Sequence, residues 1–199
     1  MKLEFEVTPD VLVPNPDTEL LVQLAVAWGR PLEAPQLADI GTGSGCIAVS
    51  LAHYLPAARV LATDTSPAAL EVAARNAARH EVADRVELRS GDLLEPLDSP
   101  VDAICANLPY LDEDADPLPP EVAAQPRSAL FAGDGGAELL LRLIAGAPAC
   151  LRPGGRLFLE IDPGIKERLV EAARAAGFGE VVGHRDLGGL DRVLEAWSS

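Results

Sequence analysis

The chain has 199 residues, of which 48% are hydrophobic and 24% are charged, and this suits one folded domain with a sizeable core. Its 31 acidic and 16 basic residues give a net charge of −15, which weighs against tight, unaided binding to RNA or DNA. No window approaches the roughly 18 consecutive apolar residues of a membrane span, and the acidic N-terminus lacks the apolar core of a signal peptide, so no membrane association is expected.

The predicted elements alternate between helix and strand along the chain. Residues 1–36 read as an extended, proline-punctuated stretch and then a helix, which Asp17 or Thr18 is expected to cap. Further helices are predicted from residue 45 to 54, from residue 66 onward, and over 137–151 and 165–176. Strands are predicted over residues 37–40, 59–63, 85–89, 101–106, 156–161, 178–184 and 190–197.

This alternation predicts an α/β fold with a seven-stranded, mostly parallel sheet and helices on both faces. No helix separates the last two strands, so an antiparallel strand is expected at one edge. We expect a single domain over residues 1–199, with the extended segment and helix in 1–36 and the sheet-containing core in 37–199. A long acidic segment, about 111–135, contains Asp112, Glu113, Asp114 and Asp116 and reads as a solvated loop or a lid over the substrate.

The cysteines and histidines carry no recognisable catalytic or metal-binding pattern. Cys46, Cys105 and Cys150 lie far apart without CxxC spacing, which is typical of reduced thiols in a cytoplasmic protein and predicts no metal site. The three histidines are scattered, and none pairs with a serine or cysteine in a triad-like motif.

Three sites at the ends of successive strands outline a nucleoside pocket. Gly41–Gly45 follows the first strand, and alternate glycines let the backbone turn sharply and lie against a ligand. Asp64 ends the second strand, where an acid can accept both hydroxyls of a ribose, and Asp92 follows the third. These residues alone do not separate NAD from S-adenosylmethionine.

The tetrapeptide Asn107–Tyr110 follows the fourth strand and favours methyl transfer to a planar nitrogen. The lone pair of an amide or exocyclic amine is delocalised, so the nitrogen is a poor nucleophile. The side-chain oxygen of Asn107 and a backbone carbonyl just after it can grip the NH2 hydrogens, and Tyr110 can stack on the planar group. Positioning would then supply most of the rate acceleration, and no metal is needed.

With these residues in view, the chain resembles the protein-(glutamine-N5) methyltransferases, which modify the Gly-Gly-Gln tip of peptide-chain release factors. The similarity runs from about residue 7 to the end, and several motifs occur in the family's order. The matching stretches are Pro14–Glu19, Asp39–Gly45, Asn107–Tyr110, Pro126–Leu130 and Asp186–Val193.

The resemblance implies a Rossmann-like, class I methyltransferase fold, S-adenosyl-L-methionine as cofactor and a release factor as protein substrate. Asn107, Pro109 and Tyr110 would be catalytic, and Asn107 to Tyr110 would bind the glutamine, with the Leu108 carbonyl as second acceptor. The implied cofactor-binding residues are Gly41, Thr42, Gly43, Ser44, Gly45, Asp64, Asp92, Leu93 and Asn107.

The chain departs from the family pattern at three points. Leu108 replaces the first proline of the Asn-Pro-Pro-Tyr signature, which keeps the carbonyl but loses the preset φ. Asn15 stands where the family usually has arginine. The family's N-terminal helical domain, which helps to dock the release factor, is expected to be absent.

Other functions stay open at this point. A ribosomal-protein glutamine is a close alternative substrate, and adenine N6 in nucleic acid is another, because Asn-Leu-Pro-Tyr also occurs in ribosomal-RNA adenine dimethyltransferases. A binding module that holds the cofactor without catalysis is a third alternative. An NAD-dependent oxidoreductase is disfavoured, because no catalytic His, Lys or Tyr-x-x-x-Lys is evident in the predicted cleft.

Overall fold

The computed structural model describes residues 3–111 and 125–198, and in these ranges one sheet of seven strands forms the centre. The spatial order is β3-β2-β1-β4-β5-β7-β6. Strands β1 to β5 run parallel to one another, whereas β7 lies between β5 and β6 and runs antiparallel to both. The strands are Gln36–Ile40 (β1), Arg59–Asp64 (β2), Val86–Ser90 (β3), Val101–Ala106 (β4), Leu151–Glu160 (β5), Val181–Arg185 (β6) and Asp191–Trp197 (β7). The predicted fold class is therefore confirmed, with the antiparallel pair at one edge.

Helices cover both faces of this sheet. Neighbouring strand residues belong to different cores, as Leu37 and Ala38 do, because successive side chains of a strand point to opposite faces. One core contains α1 and α2, and the other contains α4 and α5. The helices are Thr18–Gly29 (α1), Cys46–Tyr54 (α2), Pro67–Arg79 (α3), Glu138–Cys150 (α4) and Lys166–Ala175 (α5). In the described ranges, none of them is long and apolar enough to cross a bilayer.

Both α1 and α3 begin where the sequence predicts, but the expected side-chain cap of α1 is missing. Ser66 caps α3 by accepting a hydrogen bond from the Ala69 amide at 3.2 Å. At α1, neither Asp17 nor Thr18 makes a side-chain cap. Instead Asn15 Oδ1 accepts from the Asp17 amide at 3.1 Å, and the Thr18 hydroxyl donates to a buried carboxylate elsewhere. Asn15 thus forms the turn that leads into the helix.

Two strand boundaries also differ from the prediction. Strand β5 begins at Leu151 rather than residue 156, because the register shifts between Val101 and Ala103 and Gly154 adopts φ +76° to take up the extra residues. Residues 178–180 are predicted in β6, which begins only at Val181. Phe178 belongs to the end of α5, whereas the Gly179 amide donates to the Trp197 carbonyl and the Glu180 carbonyl accepts from the Trp197 amide. The Phe178 amide donates to the Ala173 carbonyl, and Gly177 has φ +96°, which together form a Schellman-type helix end.

The acidic segment falls largely outside the described residues, which omit 112–124. The described part that follows contains a short 3-10 turn, Arg127–Ala129. Leu111 pairs with Phe131 in an isolated parallel β-bridge. The expectation of a lid concerns Asp112 to Asp116 and stays a prediction.

Candidate functional site

A cavity of about 190 Å³ lies beyond the carboxyl ends of the parallel strands. The chain builds β2 and β3 on one side of β1 and then β4 on its other side, which creates the topological switch point at which such sheets bind ligands. Residues from four strand ends meet at this cavity, among them Gly41, Gly43, Asp64, Asp92, Leu93 and Asn107. The order of these residues in the sequence predicted this convergence.

The glycine turn presents bare backbone to the cavity. Gly41 and Gly43 have φ values of +71° and +54°, which favour glycine. A Cβ at Gly41 would lie 2.6 Å from Leu108 Cδ2, whereas a Cβ at Gly43 would meet nothing within 4 Å. Gly41 is therefore required by packing, and Gly43 keeps open the space that a ligand can fill.

These two glycines give a matched pair of substitutions. We expect Gly41→Ala to lower the free energy of unfolding by about 2–4 kcal/mol, because it combines left-handed strain with overpacking against Leu108. Gly43→Ala should cost only about 1 kcal/mol of strain, yet it should weaken cofactor binding because its methyl group enters the cavity. Urea unfolding and calorimetric titration with S-adenosylmethionine measure the two effects. Parental cofactor affinity in Gly43→Ala would contradict the assignment of this face to a ligand.

Asp39 is fully buried and stabilises the glycine turn through hydrogen bonds. Its Oδ2 accepts hydrogen bonds from Thr42 Oγ1 at 2.6 Å and from the Ala48 amide at 3.0 Å. Burial raises the pKa of Asp39 to about 7, although both hydrogen bonds oppose the rise, and the neighbouring Asp64 adds to it. Asp39 thus joins the strand, the turn and the first residues of α2 without lining the cavity.

The raised pKa predicts a pH-dependent contribution to stability. The folded pKa of Asp39 exceeds its unfolded value, so its contribution is complete below about pH 4 and is lost as the pH rises through about 7. Asp39→Asn keeps an acceptor for Thr42 but cannot titrate. We therefore expect the parent to lose stability relative to Asp39→Asn between about pH 4 and about pH 7, measured by urea unfolding. A difference that stays constant over this range would show that Asp39 titrates normally.

Asp64 and the loop after β3 form the polar and apolar walls of the cavity. Asp64 Oδ2 accepts from the Gly43 amide and Oδ1 from the Ser66 amide, each at 2.9 Å. A carboxylate has about four lone-pair sites, so two remain for ligand hydroxyls. Leu93 adopts φ +48°, unusual for a residue with a branched side chain, and its carbonyl accepts from Thr63 Oγ1 at 3.3 Å. Asp92 is paired with Arg142 at the rim.

A second cavity of about 420 Å³ adjoins the first. Asn107, Leu108 and Pro109 line both cavities, and Tyr110 lines the second only. The Leu108 side chain is buried against Gly41, so the residue that replaces proline fixes this segment by packing rather than by a preset φ. The tetrapeptide therefore stands between a site near the glycine turn and a site open to a second molecule.

Hydrogen bonds connect Asn107 to Tyr110 through two buried residues. Asn107 Nδ2 donates to Thr18 Oγ1 at 3.1 Å, and Thr18 Oγ1 donates to Glu160 Oε2 at 2.6 Å. Tyr110 donates its hydroxyl to Glu160 Oε1 at 3.2 Å. Burial raises the pKa of Glu160, which these two hydroxyl donors oppose, and burial beside Glu160 raises the pKa of Tyr110. The Tyr110 hydroxyl is thus anchored inside the protein.

Arg192, near the C-terminus, forms two ion pairs beside these hydrogen-bonded residues. Arg192 Nε lies 3.2 Å from Asp17 Oδ2 and 3.1 Å from Asp186 Oδ2. Arg192 therefore ties the loop before β7 to the start of α1, directly beside Thr18. The sequence stretches around Asp17, Asn107 and Arg192 therefore meet in one region of the structure.

The structure separates the predicted cofactor-binding residues into two groups. Gly41, Gly43, Asp64, Asp92, Leu93 and Asn107 line the first cavity. Thr42, Ser44 and Gly45 are buried and turn inward: the Thr42 hydroxyl donates to Asp39, and a Cβ at Gly45 would lie 3.0 Å from Ala73 Cβ. Their side of the turn shapes the loop and does not face the cavity.

Sequence reasoning missed Asp39, Thr18 and Glu160 as parts of the site. Two motifs carried a signal, because Thr18 lies inside the Pro14–Glu19 motif and Asp39 lies inside the Asp39–Gly45 motif. Glu160 ends a buried strand, where a charged residue requires a partner, and this requirement is the sequence signal for its role.

Comparison with solved structures finds the same fold in methyltransferases. The ribosomal protein L11 methylase from Lactobacillus delbrueckii subsp. bulgaricus aligns with a TM-score of 0.70 and 26% identity, over 95% of this chain and 81% of that chain. A methyltransferase from Pyrococcus furiosus aligns with a TM-score of 0.72 and 20% identity, over 99% of this chain and 89% of that chain. The fold is that of the class I S-adenosylmethionine-dependent methyltransferases.

Comparison with curated proteins narrows this class. A relative from Moorella thermoacetica, named release factor glutamine methyltransferase, is 49% identical over 179 residues, which cover 89% of this chain and 63% of the relative. One of the same name from Bordetella pertussis is 43% identical, over 95% of this chain and 70% of the relative. The family model for ribosomal protein L11 methyltransferase (PrmA) also matches, over residues 18–113. The chain belongs to the release factor glutamine methyltransferase family and spans about two thirds of the length of these relatives.

Proposed function

We propose that this chain methylates the side-chain nitrogen of a glutamine in the Gly-Gly-Gln motif of a peptide-chain release factor, in the cytoplasm. The observation that carries this proposal is that Asn107, Leu108 and Pro109, together with Leu12 and Ala129, line both cavities and so form the wall between them. A substrate amide held there meets Asn107 Oδ1 and the Leu108 carbonyl as acceptors for its two N–H groups. The relatives named release factor glutamine methyltransferase support the choice of acceptor.

The first cavity fits S-adenosylmethionine, and we assign it to this cofactor. Asp64 retains lone pairs for the ribose hydroxyls, the open face of Gly43 accommodates the methionine part, and Leu93 and Asp92 border the adenine. When bound, the cofactor supplies a sulfonium methyl group. Asn107 and the Leu108 carbonyl would orient the amide nitrogen to accept this methyl group, and the nitrogen would lose one proton to solvent.

The lining of the second cavity favours an amide over a nucleic acid. Among the described residues, all twelve that line it are uncharged, and the polar ones are Asn15, Asn107, Tyr110 and Gln125. In the sequence, residues 112–124 carry five acids and no Lys or Arg. A nucleic acid needs cations for its phosphates, so a neutral protein side chain matches this site better. A ribosomal-protein glutamine is the second candidate, because the family model that matches residues 18–113 is named for methylation of a ribosomal protein.

The test is a comparison of acceptors. The purified chain is incubated with isotope-labelled S-adenosylmethionine and a release factor, ribosomal protein L11 or unmodified ribosomal RNA. We expect label in the release factor alone, on one glutamine located by mass spectrometry of its peptides. A release factor with that glutamine replaced by glutamate is the matched control. Label in RNA but not in either protein would reject the proposal, and label in L11 alone, on a glutamine, would select the second candidate.

A further inference from the structure

We propose that Thr18 and Glu160 are positioning residues that hold the Asn107 carboxamide with its oxygen, and not its NH2 group, toward the second cavity. This inference rests on the proposed function, because only a substrate that presents N–H groups requires an oxygen there. It concerns residues that do not touch substrate or cofactor. Thr18 reaches the site from α1, and Glu160 reaches it from the end of β5.

The direction of the hydrogen bonds carries the argument. Both oxygens of Glu160 accept from hydroxyl groups, which is the arrangement that an ionised carboxylate makes. Thr18 has a single hydroxyl hydrogen and donates it to Glu160, so its oxygen offers only lone pairs to Asn107. Asn107 must therefore direct its NH2 group toward Thr18, at 3.1 Å. The amide oxygen then points the opposite way.

Burial makes this constraint effective. Glu160 is 1% exposed and Thr18 is 3% exposed, so water cannot replace either partner in the chain of hydrogen bonds. Tyr110 donates a hydrogen bond to the second oxygen of Glu160, so the carboxylate cannot rotate without breaking that bond. The charged groups around Glu160 are Asp17 at the start of α1 and Arg192 on β7, and the Cys46 thiol lies nearby.

Orientation matters because the two ends of a carboxamide have similar shape and opposite hydrogen-bonding character. If Asn107 turned over, its NH2 group would face the NH2 group of the substrate, donor against donor. The substrate nitrogen would lose one of its two acceptors, and its lone pair would no longer be aimed at the methyl group. The loss would fall on the chemical step more than on binding.

A matched pair at Thr18 tests this role. Thr18→Val keeps the shape and removes the hydroxyl, whereas Thr18→Ser keeps the hydroxyl. With release factor as substrate, we expect kcat to fall by about tenfold to a hundredfold in Thr18→Val, with KM and the Kd for S-adenosylmethionine within about threefold. Thr18→Ser should recover kcat to within about threefold of the parent. Parental kcat in Thr18→Val, or an equal loss in both variants, would overturn the proposal.

A spectroscopic measurement separates this proposal from the proposed function. In ¹⁵N-labelled protein, the side-chain NH2 signals of Asn107, identified by their loss in Asn107→Ala, should exchange slowly with water in the parent and in Thr18→Ser. They should exchange much faster in Thr18→Val. Slow exchange in the parent without any methylation of release factor would reject the substrate but leave the orienting role standing. Equally fast exchange in parent and Thr18→Val would reject the orienting role.

Glu160→Gln provides a second variant should Thr18→Val fail to fold. A glutamine can present either its oxygen or its NH2 group to Thr18, so the direction of the hydrogen bonds from Asn107 through Thr18 is no longer imposed. We expect a lower kcat and faster exchange of the Asn107 NH2 group than in the parent. Parental values of both quantities would overturn the role of Glu160.

Discussion

Asp64→Ala should weaken S-adenosylmethionine binding by about a hundredfold, which is about 3 kcal/mol and close to the loss of two hydrogen bonds to a charged group. Asp64 stands where the ends of β1 and β2 meet the cavity and has two lone-pair sites beyond those used by Gly43 and Ser66. Ribose hydroxyls would fill them. The substitution also releases the Gly43 amide, so part of the loss comes from the glycine turn.

A ligand cycle separates these two contributions. Calorimetric titration of parent and Asp64→Ala with S-adenosylhomocysteine and with its 2′-deoxy analogue gives four dissociation constants. If Asp64 binds the ribose, removing the hydroxyl should cost much less in Asp64→Ala than in the parent. If the losses of binding free energy from removing Asp64 and from removing the ribose hydroxyl are additive, Asp64 holds the glycine turn but does not bind the ribose.

Asp162→Ala is the matched control for Asp64→Ala. Asp162 also folds a turn after a strand with its carboxylate, since its Oδ1 accepts from the Gly164 amide at 2.7 Å, but it lines neither cavity. We expect it to lose some stability while its affinity for S-adenosylmethionine stays within about twofold of the parent. Similar affinity losses in both variants would mean that the effect is general destabilisation.

Local sequence signals were sufficient for the parts of the site that lie at strand ends. The turn Gly41–Gly45, Asp64 and Asp92 each follow a predicted strand, and parallel strands deliver their carboxyl ends to one edge of the sheet. Ser66 and Pro67 likewise define the start of α3 from adjacent residues alone. In these cases the determining contacts are separated by a few residues, or by a topology that has few alternatives.

Contacts between distant parts of the chain were not predictable in this way. Thr18 and Glu160 are 142 positions apart, and nothing near Thr18 in the sequence shows that a buried carboxylate competes for its hydroxyl. The same competition explains why the expected helix cap failed. Periodicity also could not show that the Thr42 side chain turns inward, because this depends on the buried Asp39 carboxylate that accepts its hydrogen bond.

Asn107→Ala should reduce methyl transfer to release factor by at least a hundredfold, and by about a thousandfold if both acceptors act together. The alanine removes the oxygen that grips one N–H of the substrate amide, and this interaction matters most when the nitrogen attacks the methyl group. Asn107 also borders the first cavity, so a loss of affinity for S-adenosylmethionine of less than about tenfold, or about 1.4 kcal/mol, is expected.

Single-turnover transfer from labelled cofactor, with calorimetry for cofactor binding, separates these two effects of Asn107→Ala. The Asn107→Asp variant sharpens the interpretation because it keeps two oxygens of the same shape but has no NH2 group to give to Thr18 Oγ1. Its second oxygen would face the lone pairs of Thr18, so the side chain should lose its fixed orientation while it keeps an acceptor for the substrate. Transfer should therefore fall between the parent and Asn107→Ala. Parental transfer in Asn107→Ala would show that the amide is held by other groups, and the wall shared by the two cavities would then not be where the nitrogen reacts.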